Sequence, residues 1–492
     1  MSEMLEKARK YEDEQGKQIK AEDRPAFHVS PYVGWMNDPN GFSYYQGEYH
    51  LFYQYYPYDT HWNSMHWGHV VSKDLLHWKH LPAALAPDED YDKIGCFSGS
   101  ATELGDGRQL LIYTAVDQEK MEDGTVRDIQ TQAVAVGDGK DYKKYEKNPV
   151  LTAKDLPEGA SKVDFRDPKI WKEKDGYFYC VIGSRPADGS GQILLYRSKN
   201  GFEWEFVSIL AKNQNRYGKM WECPDFFELD GEYILLASPQ DLCAGSEFHN
   251  GNNAVYYTGS YDRGRHVFDY SHVYSLDDGL DFYASQTMLS ADGRRILIGW
   301  MQTWDANIRP ADQKWACMMT IPRELRLDNG RILQSPVREL EKYYSNSVHY
   351  DQCTIKGTCQ KEGIRGRVLD MTVELLEGDY TSFDICFAQN EKHFTKFTYD
   401  RAGKTIEIDR TYCGMIRDVL AQRKVPVKVS GDIVKIRMIL DKYSAEIFIN
   451  DGAQVMSTTF YTPLDADQIS FVCDGSVTVN IDKYDISIGE MA

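Results

Sequence analysis

The chain has 492 residues, with 56 Lys+Arg against 75 Asp+Glu and a formal net charge of −19. A chain this acidic repels polyanions, so neither nucleic acid nor an anionic membrane surface is expected as a partner. Its 42% hydrophobic and 27% charged residues are ordinary for a globular protein, and no run of 18 apolar residues is present to span a membrane.

Residues 1–26, opening MSEMLEKARKYEDEQG, read as a short polar helix on the surface, without the apolar stretch of an export signal. The ten cysteines form no CxxC pair, so free thiols and a cytoplasmic location are expected. His66 and His69 have no second Cys/His pair at zinc-site spacing, and no metal or cofactor is expected.

From residue 27 to about 335 a hairpin signature recurs: a turn glycine, usually after Asp or Gln, then four to six strand-forming residues. It appears as YYQGEYHLFYQ at Gly47, LGDGRQLLIYTA at Gly107, EKDGYFYCVIG at Gly176, ELDGEYILLAS at Gly231 and SADGRRILIGW at Gly293, at intervals of 60, 69, 55 and 62 residues. A period near 60 suits four short strands with long loops and predicts a five-bladed β-propeller, with a site built from several blades at its axis.

Nine residues before Gly47, Gly176 and Gly231 stand Asp38, Asp167 and Glu222, and the same offset gives Ser98 and Ala284 in the other two repeats. Equivalent blades therefore place three carboxylates on one ring where the innermost strands begin. Pro39, Pro168 and Pro224 lie beside them, fixing φ and aiming the carboxylates. Converging carboxylates among many aromatics, with neither a GxxxxGK[ST] loop nor a GxSxG elbow, point to acid–base and nucleophilic chemistry on a sugar.

The motifs WMNDPNG (35–41), HLFYQYYP (50–57), FSGSAT (97–102), FRDP (165–168), MWECPDF (220–226) and DFYAS (281–285) resemble the signature set of glycoside hydrolase family 32, in that family's order. PVRELEKY (336–343) resembles the family's connector into a C-terminal β-sandwich. The alternating stretches SAEIFIN and QISFVCDGSVTVNI fit such a sandwich. The expected fold is thus all-β, with a helix over 1–26, a catalytic propeller over 27–335, a connector over 336–345 and a sandwich over 346–492.

The resemblance implies a retaining β-fructofuranosidase. It would release terminal fructose from sucrose, sucrose 6-phosphate or short fructo-oligosaccharides, as a monomer or homo-oligomer. It implies Asp38 as nucleophile, Glu222 as acid/base and Asp167 as transition-state stabiliser, with Asn37, Gln54, Trp62, Phe97, Ser98, Arg166, Asp281 and Tyr283 contacting substrate. Mutual repulsion with Asp38 and Asp167 is expected to raise the proton affinity of Glu222, and Arg166 is expected to pair with Asp38 or Asp167. Tyr56, Ser285 and Gln286 depart from the family pattern on the leaving-group side.

Overall fold

A computed structural model describes residues 1–489 except 187, 246, 306–307 and 416–418. Five sheets, antiparallel but for one short parallel pairing, form the blades of a propeller, and a further nine-stranded sheet forms a β-sandwich. The innermost strands of blades 1 to 5 are Gly34–Tyr45, Gly95–Glu103, Ala160–Lys172, Trp221–Leu229 and Tyr283–Leu289. Each turns at its far end into a second strand, and the five turn glycines all sit at φ between 84° and 89°. A Cβ added to any of them would meet nothing within 4 Å, so glycine is required there for its backbone conformation and not for space.

Blade 5 closes the ring. Trp315–Ala316, inserted between its second and third strands, pairs in parallel with Gly34–Trp35 of blade 1. The blades pack through separate apolar seams, such as Leu110, Ile112, Phe165 and Ile182 between blades 2 and 3.

Glu3–Gly16 forms the N-terminal helix, capped by Ser2, whose Oγ accepts from the Leu5 amide at 3.2 Å. It is not merely a surface helix. Leu5, Ala8 and Glu12 are buried, and the outer strand of blade 1 is tied to it by Arg9 Nε to Ala83 O (2.9 Å) and Ala83 N to Glu12 (2.8 Å). Among the described residues, no helix is long and apolar enough to cross a membrane.

A 3-10 turn, Arg338–Tyr343, follows blade 5 and leads into the sandwich. Two long strands, Leu369–Gln389 and Gln468–Ile486, pair with bulges that let them bend around a core including Met371, Phe383, Phe397 and Phe471. The sandwich is fastened to the propeller by buried charge. Arg323 of blade 5 donates to Glu446 (2.8 Å), Asp277 (3.1 Å) and Ser457 (2.6 Å), and His28 bridges Asp441 (2.8 Å) and Glu446 (2.9 Å). Gly279 lies so close to the Ser457 backbone that a Cβ would sit 2.1 Å from its nitrogen.

Candidate active site

All five innermost strands carry a β-bulge at the same level. The ladder skips Asn37–Asp38, Phe97–Ser98, Asp167–Pro168, Cys223–Pro224 and Ala284–Ser285. A bulge frees backbone groups from the ladder and re-aims side chains. Here the neighbouring blade supplies partners. Thr114 Oγ1 accepts from Asp167 N (2.8 Å), Asp167 Oδ2 from Cys223 N (2.9 Å) and Ser238 Oγ from Ala284 N (3.0 Å). Asn40 Oδ1 accepts from Gly99 N (3.1 Å) and Gln286 Oε1 from Phe42 N (2.9 Å), so all five blade junctions are stitched around the axis. Three of these bulge residues, Asp167, Cys223 and Ala284, hold left-handed backbone at φ of 67°, 48° and 51°.

The bulges refine the nine-residue offset. Aligned on them, Asp38 is the second bulge residue of its strand, Asp167 the first, and Glu222 the residue just before. The acids therefore converge from three successive positions. Those equivalent to Glu222 in the flanking blades are Arg166 and Tyr283, and both touch it. Arg166 Nε donates to Glu222 Oε1 at 3.0 Å and Tyr283 Oη to Oε2 at 2.7 Å.

Asp38 accepts from Asn37 Nδ2 (3.0 Å) and Ser98 Oγ (2.6 Å), and Asn37 is itself held by Trp35 Nε1 (2.8 Å). Cys223 Sγ stands 3.6 Å from Asp38 and 3.8 Å from Asp167, which brings both carboxylates to one sulfur. Arg166 departs from expectation. Its partners are Glu222 and Asp164 (2.8 Å), and Asp164 is held in turn by Arg185 (2.8 Å).

Burial, then repulsion from Glu222, pushes the Asp167 carboxyl up to about 7. Glu222 is also raised, first by burial, against the pull of Arg166, with Asp38 adding repulsion. Burial thus outranks the mutual repulsion expected from the sequence as the cause. Burial likewise pushes the Cys223 thiol well up, so it faces the acids as a neutral S–H. Asp167 and Glu222, buried together beside one guanidinium, therefore both hold a proton more tightly than free carboxyls.

Trp62 lies at the mouth, 42% exposed, edge-on to Phe97 at 5.7 Å. Beside blade 1, Trp304 is 41% exposed and stacks over Trp35 at 6.3 Å. Two aromatic faces thus border the mouth, as sugar recognition needs. Gln54 lies beneath the site, with its amide committed to Cys96 O at 2.9 Å.

Asp281 is not brought to the carboxylates. It is fully buried, ion-paired to Arg410 and accepts from Thr459 N at 2.7 Å, so it joins propeller to sandwich. Its position four residues after Asp277, in a segment laid against the sandwich, explains why a motif acid became an anchor. Sequence reasoning missed Trp304, Asp164, Thr114 and Ser238. The last two could have been sought as polar residues on second strands, opposite the bulges.

Residues 28–336 match the family described as "Glycosyl hydrolases family 32 N-terminal domain", and residues 339–487 match "Glycosyl hydrolases family 32 C terminal". A sucrose-6-phosphate hydrolase of Escherichia coli is 36% identical over 92% of this chain and 93% of its own. A raffinose invertase of Escherichia coli is also 36% identical, over 91% of each chain. Among solved structures, the Bombyx mori GH32 beta-fructofuranosidase superposes with a TM-score of 0.83 at 35% identity, covering 98% of this chain and 97% of that one. A mutant of that enzyme is solved in complex with sucrose.

Proposed function

The chain belongs to glycosyl hydrolase family 32, and from that premise we propose that it is a β-fructofuranosidase. It releases terminal, non-reducing β-D-fructofuranosyl units from sucrose, sucrose 6-phosphate or short fructo-oligosaccharides by a retaining double displacement. The observation that carries this reading is the unequal support of the acids. Asp38 is oriented by Asn37 and Ser98, whereas Glu222 sits between a guanidinium and a phenol.

Asp38 attacks C2 of the fructosyl unit while Glu222 protonates the departing glycosidic oxygen, giving a covalent fructosyl-enzyme and the free leaving sugar. Burial and the charge of Asp38 keep the proton on Glu222 beforehand. Arg166 and Tyr283 stabilise the carboxylate left afterwards. Bonding of Asp38 to C2 removes its negative charge, which lowers the proton affinity of Glu222 and leaves it a carboxylate, available as the base for the attacking water. That water attacks C2, fructose leaves, and both acids return to their starting states. Asp167 binds fructosyl hydroxyls, whose hydrogen bonds strengthen as oxocarbenium character grows.

Trp62, Phe97 and Trp304 offer ring faces for the sugars, and Arg166 holds Glu222 in place. We read residues 1–26, 27–335, 336–345 and 346–492 as helix, catalytic propeller, connector and sandwich. Ten free cysteines support a reducing, cytoplasmic setting.

The test is a substrate panel of sucrose, sucrose 6-phosphate, 1-kestose and inulin compared by kcat/KM, with NMR of the first-formed fructose anomer. Release of β-fructofuranose, with the small substrates favoured, is expected. First-formed α-fructofuranose, or binding without release, would overturn the reading.

A further inference from the structure

The innermost strands run from the carboxylates to a second mouth of the propeller channel, where a cavity of about 810 Å³ opens. Its wall is made by the far ends of those strands, Phe42–Tyr45, Ala101–Glu103, Ile170–Asp175, Phe226–Glu228 and Thr287–Leu289. This volume lies in the range of small-molecule sites. In a chain of net charge −19 the wall carries six Lys and Arg against five Asp and Glu, so it lacks the acidic excess of the whole chain, although Arg197 is paired with Glu205 outside it.

The floor is built to hold that imbalance. Asp225 Oδ2 already accepts from Thr287 N (2.7 Å) and Thr287 Oγ1 (2.9 Å), and Lys169 Nζ lies 3.4 Å away while donating to Thr287 O at 2.5 Å. One carboxylate thus serves two cations, Lys169 and Arg295. Arg295 lies over the Phe227 ring at 4.6 Å, and its buried Nε has no hydrogen-bond partner. An unpaired buried guanidinium N–H costs about 1–3 kcal/mol unless something accepts from it. Burial pushes the Arg295 and Lys169 proton affinities down, with the charge of Asp225 opposing in both cases.

On the wall, Glu173 accepts from Trp171 Nε1 (2.9 Å) and Asp175 from Tyr179 Oη (3.0 Å), which fixes two aromatic side chains that line the space.

We propose that this distal mouth is a second binding site, separate from the carboxylate site, for a small phosphate-bearing molecule. Its phosphate oxygens accept from Arg295 on the floor, with Lys169 adding charge, and a sugar ring attached to that phosphate packs on Trp171 and its aromatic neighbours. The guanidinium fork suits a phosphate, and the volume leaves room for a hexose. Inorganic phosphate and a hexose phosphate share the recognised chemistry, and the site does not depend on which fructoside is hydrolysed.

The test is calorimetry of the full chain with inorganic phosphate and with a hexose 6-phosphate, in the presence of saturating fructose to occupy the carboxylate site. Both are expected to bind. Tighter binding of the hexose phosphate identifies the sugar ester as ligand, and equal affinities identify phosphate alone. Arg295→Gln is expected to weaken binding about tenfold or more while kcat/KM for sucrose stays unchanged. If that variant does not fold, protection of Arg295 from phenylglyoxal in the wild-type protein, read by peptide mass spectrometry, decides. Three results would overturn the proposal: no binding of either anion at millimolar concentration, equal binding by Arg295→Gln, or no protection of Arg295.

Discussion

Among the described residues, one cluster of buried carboxylates lies at the channel axis and another between propeller and sandwich, and they are treated differently. At the interface, burial pushes Glu446 and Asp441 up, yet the charge of Arg323 and the hydrogen bonds of His28 outweigh it, and both carboxyls end below their usual range. Asp441 alone accepts from the amides of Ala26, Phe27 and His28 as well as from the imidazole. At the axis, Asp167 takes a single conventional hydrogen bond from an amide, and Glu222 shares its guanidinium with Asp164. There burial wins and the proton affinities rise. Asp277 and Asp281, also at the interface, are raised, first by burial, Asp277 to about 6, although Asp277 accepts from Arg323, Gly279 N, Ser457 N and Ser457 Oγ. The lesson is that burial alone does not make an acid reactive. What counts is whether full charges such as His28 and Arg323 outweigh the burial, since four hydrogen bonds do not keep Asp277 low.

The sharpest way to break this contrast is to neutralise one acid of each cluster. Glu222→Gln is expected to lower kcat by roughly 10² to 10⁴-fold with melting temperature unchanged, and Asp38→Asn at least as far, with melting temperature unchanged or higher because a crowded cluster loses a charge. Near-normal turnover in either variant would remove the axis cluster from the chemistry. At the interface the reverse holds. Arg323→Met leaves Asp277 without its cation and Glu446 with His28 alone, so a loss of roughly 3–5 kcal/mol is expected in urea unfolding, with kcat of the folded protein retained. A loss below about 1 kcal/mol would show that these carboxylates are not held as described.

The His28 imidazole sharpens the same point. Burial pushes it down, but Asp441 and Glu446 raise it from 6.5 to about 9. A raised histidine contributes stability that is complete below its unfolded value of 6.5 and is lost as pH rises through about 9. The deficit of His28→Gln relative to wild type should therefore be about 3 kcal/mol larger at pH 6 than above pH 9, as measured by urea unfolding at each pH. A deficit that does not change with pH would mean that His28 is neutral in the folded protein.

The five-fold repeat was legible in the sequence because each blade must turn its first hairpin at a glycine with φ near 86°, as Gly47 does. The carboxylates were legible because that turn fixes the distance back to the axis. Two things were hidden. Offsets count residues and not ladder positions, so the bulges that shift Asp38, Asp167 and Glu222 against one another left no trace in the spacing. Partner choice was hidden too. Arg166 follows Phe165 and precedes Asp167, yet the bulge at Asp167 turns it towards Glu222 across a blade junction. Asp281 was misplaced for the complementary reason, since no motif reveals that its partner Arg410 lies 129 residues away in the sandwich.

The smallest expected effect tests how the axis cluster divides its support. Tyr283 Oη lies 2.7 Å from Glu222 Oε2 and 3.0 Å from Ser238 O, so Tyr283→Phe removes one donor from Glu222 and leaves Arg166 in place. That donor favours the anionic form of Glu222. Its loss raises the proton affinity, so the acid stays protonated further into the alkaline range, and the high-pH limb of the kcat/KM profile should move upward. The step in which Glu222 works as a carboxylate base loses about 1 kcal/mol of support, roughly fivefold in kcat. An interface acid with four or more donors would barely register such a deletion. If the alkaline limb stays where it is in the wild type, Tyr283 is packing against Glu222 without tuning it, and the two clusters differ less than their hydrogen bonds suggest.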